Sequence, residues 1–136
     1  MTYSLCREPD LSSVGAKLKQ ARLDKGLTIE QLADSVGMSE VTLGRWEKNL
    51  GKIEDHPDKI KKLCQILDVT VDYLFDELKD DSFSAVLKKF RFEMGLSRKE
   101  LAGILKVDKG TVLSWERGGK AFKYREEDIL NRLRCQ

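Results

Sequence analysis

The sequence predicts an all-α protein made of two tandem small helical domains, the second of them shortened. The first observation is an internal repeat, because residues 18–49 align with residues 87–118 at a constant offset of 69 positions without a gap. The second is a capping-box pattern ahead of a short apolar segment, which begins at Thr28 and again at Ser97. The third is length, since 136 residues with 40% hydrophobic content suffice for two small cores of about 55–75 residues each.

The repeat preserves both residue identity and apolar character. Like replaces like at most of the pairs that are not identical, for example Val36 and Leu105. The identical pairs are Leu18/Leu87, Lys19/Lys88, Arg22/Arg91, Gly26/Gly95, Leu27/Leu96, Leu32/Leu101, Ala33/Ala102, Thr42/Thr111, Trp46/Trp115 and Glu47/Glu116. A chance alignment would not keep apolar positions apolar over this length, so the chain holds two copies of one unit.

The first predicted helix of the unit lies in the segment "VGAKLKQARLDKG". Val14, Leu18, Ala21 and Leu23 recur at close to helical spacing, so they line one side of a helix. Gly26 follows them, and glycine suits the end of a helix because it tolerates the left-handed conformation found there. The sequence therefore predicts a helix that ends near residue 26.

Two further short helices follow, separated by a turn of about four residues. The capping box at Thr28 begins the second helix, and Gly37 ends it. Ser39, or its counterpart Asp108 in the second copy, offers an N-cap oxygen for a third helix that carries Trp46. Two short helices joined in this way are typical of a helix-turn-helix.

Charge is distributed unevenly along the chain although the formal net charge is only +2. Residues 1–76 contain 11 basic and 13 acidic side chains, whereas residues 82–136 contain 13 basic and 7 acidic ones. A positive domain favours a polyanionic partner. The alternative is a lysine-rich surface that only faces solvent, and charge alone does not decide between the two.

Composition argues against several classes of protein. Cys6, Cys64 and Cys135 are widely spaced and accompanied by the single histidine His56, so neither a disulfide framework nor a zinc site is expected. We expect no cofactor and no enzymatic activity, because the sequence lacks a nucleophile with a nearby base, a phosphate loop and a carboxylate cluster. We also expect a soluble, cytoplasmic protein, because no apolar run approaches membrane-spanning length and the N-terminus does not resemble a signal peptide.

The segments "GLTIEQLADSVGMSEVTLGRWEKN" and "GLSRKELAGILKVDKGTVLSWERG" resemble the helix-turn-helix of Cro, the lambdoid phage repressors and the wider xenobiotic-response-element type of bacterial regulators. The resemblance implies a sequence-specific regulator of transcription that binds double-stranded DNA, and a repressor is expected before an activator. It also implies an origin in a bacterium, a phage or a mobile element. Family members have five helices, and "DHPDKIKKLCQILDVTVDYLF" supplies the fourth and fifth in the first copy. In the second copy, "YREEDILNRLRCQ" leaves room for one more helix. The predicted boundaries are a first domain over 1–78 with a short N-terminal extension, a linker over 79–82 and a shortened second domain over 83–136.

The resemblance also implies roles for individual residues, since the third helix of the motif enters the major groove by its N-terminal end. The positions expected to contact bases are Glu40, Val41, Arg45, Lys109, Gly110 and Ser114. The positions expected to contact the DNA backbone are Ser39, Thr42, Lys106, Thr111, Arg117, Lys120 and Lys123. Structural salt bridges are expected between Arg22 and Glu47 and between Arg91 and Glu116. Trp46 and Trp115 are expected in the cores rather than stacked on bases.

The two copies differ as DNA readers. The first has the better base-contacting side chains but a slightly acidic surface, whereas the second surrounds its third helix with lysines and has Gly110 within it. We expect one chain to supply both heads that related repressors obtain by dimerising. A homodimer stays open, as does a protein-interaction module, such as an antitoxin or a phage-encoded inhibitor, that also regulates its own promoter.

Overall fold

The computed structural model describes residues 13–120 and 126–134, which fold into α-helices and two short 3₁₀ turns with no β-strand among them. The predicted all-α class is therefore confirmed. The helices are α1 (Val14–Asp24), α2 (Ile29–Val36), α3 (Glu40–Glu47), α4 (Pro57–Leu67), α5 (Val71–Leu74), α6 (Phe83–Met94), α7 (Arg98–Leu105), α8 (Lys109–Glu116) and α9 (Glu126–Arg134). The 3₁₀ turns are Ile53–Asp55 and Asp76–Lys79.

Helices α1 to α5, with the turn at Asp76–Lys79, form what we call the first unit. Its core is made of aliphatic side chains that are almost completely buried, among them Leu18, Leu32, Leu43 and Ile60. Trp46 lies in the same core, as predicted. Burial of these side chains removes apolar surface from water and is the main source of stability for helices this short.

Helices α6 to α9 form the second unit. Its core contains Leu87, Leu101, Val112 and Ile129, and Trp115 is buried among them, as predicted. The rings of Trp115 and Phe83 meet edge to face with centroids 5.6 Å apart, a favourable geometry for an aromatic pair.

The two units repeat each other helix by helix. α7 and α8 begin and end 69 residues after α2 and α3, which is the offset of the sequence repeat. The register continues past the aligned segment, because α9 begins at Glu126, 69 residues after Pro57 at the start of α4. α9 is therefore the counterpart of α4, and α6 is the counterpart of α1.

Helix α6 packs into both cores. Its residues Ala85 and Phe92 belong to the core of the first unit, whereas Leu87 belongs to the core of the second. Phe92 lies against Phe75, with ring centroids 5.1 Å apart. The predicted domain boundary at 79–82 stays a prediction, and the units are tightly packed across it.

Two ion pairs support the packing of α6 on the first unit. Lys88 Nζ lies 3.0 Å from Glu54 Oε2, and Lys89 Nζ lies 3.5 Å from Asp72 Oδ2. The pKa of Asp72 is lowered, first by a hydrogen bond with the Thr70 side chain and further by the positive charge of Lys89. Both pairs are partly exposed, so each adds little to the stability of the interface.

The structure shows the surroundings of Cys64 and His56, two residues for which the sequence predicts no binding site. Cys64 is buried, and burial raises the pKa of its thiol to about 12. His56 is exposed at the N-cap position of α4, makes no side-chain cap there, and lies 5.5 Å from Trp46 between ring centroids. Cys6 and Cys135 lie outside the described residues.

The described residues form neither a membrane-spanning helix nor a cluster of metal ligands. No helix among them is long and apolar enough to cross a bilayer. Within 13–120 and 126–134, no group of three or more His, Cys, Asp or Glu side chains is arranged to hold a metal ion.

Candidate nucleic-acid interface

The α2–turn–α3 segment of the first unit is fixed by its own side chains. Thr28 and Gln31 form the predicted capping box, in which Thr28 Oγ1 accepts from Gln31 N at 3.0 Å and Gln31 Oε1 accepts from Thr28 N at 2.9 Å. Gly37 ends α2 in the left-handed conformation with φ 82°, and its N–H donates to Ala33 O at 2.9 Å. Helix α2 is therefore fixed at both of its ends.

Ser39 caps α3 as predicted. Its Oγ accepts from Thr42 N at 3.1 Å and donates to Thr42 Oγ1 at 2.9 Å. The Thr42 hydroxyl hydrogen stays available as a donor, because in this arrangement Thr42 Oγ1 is the acceptor. Both residues were predicted to contact the DNA backbone, and they lie together at the N-terminus of α3, where anions are favoured.

Helix α3 has an anchored face and a free face. Its buried side chains are Leu43, Trp46 and Glu47. Its exposed side chains are Glu40, Val41 and Arg45, the three predicted base-contacting positions of this copy. Val41 is 71% exposed, so its apolar side chain is accessible to a binding partner.

The anchored face is fixed by the ion pair expected between Arg22 and Glu47, which the structure contains. Arg22 Nε donates to Glu47 Oε2 at 2.7 Å and Nη2 donates to Oε1 at 3.1 Å, so the pair is bidentate. Arg22 Nη1 also donates to the carbonyl oxygen of Leu27 at 2.9 Å. Because both side chains are more than nine-tenths buried, this network sets the orientation of α3 relative to α1.

The second unit repeats this anchor with one addition. Arg91 Nε donates to Glu116 Oε2 at 2.7 Å and Nη2 donates to Oε1 at 3.1 Å, as expected. Arg98 Nε, at the start of α7, donates to the same Oε1 at 3.1 Å. Arg98 was not predicted from the sequence, although its counterpart in the first copy is Ile29, and replacement of an apolar residue by arginine was a visible signal.

The turn before α8 departs from the turn before α3. Lys106 ends α7 in the left-handed conformation, with φ 58° and ψ 44°, where the first copy has Gly37. The prediction that Asp108 caps α8 through a side-chain oxygen is wrong, because its side chain makes no cap hydrogen bond. The Thr111 N–H donates instead to the Asp108 carbonyl oxygen at 3.0 Å, which closes the first turn through the backbone.

The exposed surface of α8 and its flanking residues consists of small side chains and basic side chains. Its three predicted base-contacting positions, Lys109, Gly110 and Ser114, are all exposed. The predicted backbone-contacting residues Lys106, Arg117 and Lys120 are exposed as well, and Thr111 is half-buried. Among the described residues, none of these lysines and arginines has an ion-pair partner. Lys123 lies outside the described residues.

A cleft between the units brings acidic residues near the start of α8. Glu54 and Asp55 of the first unit form one side, and Ser97, Lys99 and Lys109 of the second unit line the other. Lys99 was not predicted as part of a site, because the repeat pairs it with Glu30 and only the folded chain places it beside Lys109. The positive charge of the second unit therefore lies next to carboxylates from the first.

Comparison with known proteins agrees with the geometry of the first unit. Residues 18–74 match a protein-family profile described as helix-turn-helix. The chain is 29% identical over 103 residues to the HTH-type transcriptional regulator SinR of Bacillus subtilis, an alignment that covers 71% of this chain and 92% of SinR. It is 35% identical over 60 residues to the SPbeta prophage-derived uncharacterized HTH-type transcriptional regulator YonR of Bacillus subtilis, covering 44% of this chain and 54% of YonR.

A third relative is an uncharacterized HTH-type transcriptional regulator of Rickettsia conorii. It is 30% identical over 69 residues, and the alignment covers 51% of this chain and 54% of the relative. The chain thus spans nearly all of SinR but about half of the other two relatives. No solved structure gives a significant match.

Proposed function

We propose that this chain is a helix-turn-helix transcriptional regulator of the phage-repressor type, as its similarity to the helix-turn-helix profile and to SinR and YonR supports, and that α3 recognises a specific double-stranded DNA site. The proposal extends to the second unit, which supplies phosphate contacts through its basic surface around α8. The protein then acts as a repressor in the cytoplasm of a bacterium, by occupying DNA at a promoter, and it has no catalytic role.

One observation carries the proposal: the face of α3 that points away from the core is free, while the opposite face is rigidly held. The bidentate Arg22–Glu47 pair fixes the helix from behind, and Glu40, Val41 and Arg45 project outward. A helix that enters the major groove needs this combination, because base contacts require fixed side-chain positions and an unobstructed helix surface.

Each exposed side chain of α3 has a chemical role available to it. Arg45 has the fork of donors that suits the N7 and O6 acceptors of guanine. Glu40 has carboxylate oxygens that accept from the N4 amino group of cytosine, and Val41 provides apolar contact for a thymine methyl group. Ser39 and Thr42, at the N-terminus of α3, are placed for a backbone phosphate.

The second unit has the opposite character. Gly110, the second residue of α8, presents no side chain on the exposed face of the helix, and no atom lies within 4 Å of where a Cβ would be. The cations around it, Lys106, Lys109, Arg117 and Lys120, are exposed. A surface with cations and few directional groups binds phosphates strongly and discriminates bases weakly.

The experiment is a binding titration with a selected DNA site, one test substitution on α3 and one control substitution elsewhere. Selection from a random DNA pool defines the site, and fluorescence anisotropy then gives the Kd of wild-type protein and of Arg45→Ala. We expect Arg45→Ala to weaken specific binding by about 1–3 kcal/mol and to leave the melting temperature unchanged, because Arg45 is exposed and has no ion pair among the described residues.

Lys62→Ala is the matched control, since Lys62 is an exposed lysine on α4 outside the α3 surface. It should leave the Kd for the selected site within about twofold of the wild-type value, the change typical of a distant exposed charge. Failure of the pool to yield any preferred site would refute sequence-specific binding. It would favour the protein-interaction alternative, in which the exposed α3 face binds a protein.

A further inference from the structure

The two units contact each other through different surfaces. The second unit contributes the outer side of α6, with Phe92 and Ala85 inserted into the core of the first unit. The first unit contributes α4, α5 and the turn at Asp76–Lys79. An interface of this kind is head-to-tail, because the surface given by one unit is not the surface given by the other.

A two-fold arrangement would contain every contact twice. Since α6 is the counterpart of α1 and α9 is the counterpart of α4, the packing of α6 on α4 would require equal packing of α1 on α9. In the described part of the chain no comparable contact exists, because α9 packs on α6 and α7 of its own unit. Leu23, the counterpart of the buried Phe92, is 51% exposed.

The relation between the units is also fixed. Phe75 and Phe92 are both almost fully buried where they meet, and the Lys88–Glu54 and Lys89–Asp72 pairs lie at the edges of the same interface. The chain passes from the turn at Asp76–Lys79 to α6 through residues 80–82 alone. α3 and α8 therefore have one orientation relative to each other.

We propose that a single chain reads an asymmetric DNA site. In this site, the subsite bound by α3 and the subsite bound by α8 are not inverted relative to each other. This inference rests on the proposed function and adds the geometry of the operator. Two heads of the same fold can dock in the same way on an inverted repeat only if a two-fold axis relates them, because such a repeat has a two-fold axis of its own. The head-to-tail interface provides no such axis.

The test gives both helices the same specificity. In the triple variant Lys109→Glu, Gly110→Val, Ser114→Arg, α8 carries the three exposed side chains of α3. All three positions are exposed, and a Cβ at position 110 meets no atom within 4 Å, so the substitutions fit the folded chain. The probe DNA contains two copies of the α3 subsite, which is the part of the selected site whose base preference changes in Arg45→Ala.

The two copies are placed either in the same orientation or inverted, with spacings varied by single base pairs over about two helical turns. Native mass spectrometry identifies the complexes with one chain per duplex, and the Kd is measured for those. We expect one same-orientation spacing to bind on the order of 100-fold tighter than a single subsite, and no inverted spacing to improve on the single subsite, since linked heads gain affinity only when both can engage.

Inverted sites that bind as well as or better than same-orientation sites would overturn the inference. So would a variant that gains nothing from a second subsite in any arrangement, and in that case DNA binding by α3 would still stand. If the wild-type protein also bound no DNA, the proposed function would be refuted instead. A second measurement needs no substitution: the site selected by wild-type protein should lack a two-fold axis within the footprint of one chain, and a palindrome there would also overturn the inference.

Discussion

Replacement of Lys106 by glycine separates two roles of one residue, its part in the fold and its predicted contact with DNA. Lys106 has φ 58° and ψ 44° at the end of α7. A left-handed conformation costs a non-glycine residue roughly 1–2 kcal/mol. Glycine avoids this cost but loses more backbone entropy on folding, about 0.5–1 kcal/mol. We therefore expect Lys106→Gly to stabilise the protein by about 0.5–1 kcal/mol.

The same change should weaken DNA binding. The Lys106 side chain is exposed and has no ion pair among the described residues, so its removal costs the fold no side-chain contact. If Lys106 contacts a phosphate, the slope of log K against log salt concentration should become shallower by about 0.9. The variant would then be more stable and bind more weakly, a combination that a purely structural role does not produce.

Urea denaturation followed by tryptophan fluorescence gives the free energy of unfolding, and anisotropy at several salt concentrations gives the slope. Lys106→Ala is the matched control, because it removes the charge but keeps a side chain in the left-handed conformation; its slope should equal that of Lys106→Gly and its stability should be lower. Gly37→Ala tests the same physics in the first unit, where φ is 82°, and should destabilise by about 0.5–1 kcal/mol, because the cost of the left-handed conformation exceeds the backbone entropy that alanine saves. A glycine variant less stable than wild type would refute the backbone argument, and an unchanged salt slope would remove Lys106 from the DNA contacts.

Three further predictions concern other parts of the structure. Trp46→Ala should destabilise the protein by about 3–5 kcal/mol in urea denaturation, because it deletes a buried aromatic side chain; a loss under 1 kcal/mol would contradict its core position. Asp55→Asn should strengthen DNA binding by about 0.5–1 kcal/mol at low salt, because the carboxylate lies in the cleft beside α8, while Asp128→Asn on α9 should have no effect. Cys64 should resist alkylation near pH 8 in the native protein and react after unfolding, because burial raises the pKa of its thiol to about 12 and keeps it protonated; alkylation of the Cys64 peptide in the native protein, detected by peptide mass spectrometry, would contradict this.

Local features of the fold were predictable from the sequence because they depend on short spacings. Capping depends on residues only a few positions apart, so the amino-acid sequence alone is enough to recognise the capping boxes at Thr28 and Ser97 and the glycine that ends α2. The burial of Trp46 and Trp115 follows from their spacing from apolar neighbours on α3 and α8. The partners of Arg22 and Arg91, in contrast, came only from resemblance to known regulators.

The packing between the units was not predictable in the same way. Phe92 and Leu23 are both apolar, so the repeat alignment treats them as equivalent, yet the first is buried in the core of the other unit and the second is largely exposed. Apolar spacing shows that a helix has a buried side but not which element covers it. The prediction that the Asp108 side chain caps α8 was wrong because a residue type suited to capping does not ensure that its side chain turns toward the helix.

Because α6 completes two cores at once, the chain should unfold as a single cooperative system rather than as two independent modules. A fragment that ends at residue 78 would lose Phe92 and Ala85 and would expose Phe75, which is 1% exposed in the whole chain. Substitutions that loosen the second unit should thus lower the melting temperature of the first, although they are distant from α3. The second unit is thus a structural part of the first as well as a neighbour, since removal of α6 would open the core on which the orientation of α3 depends.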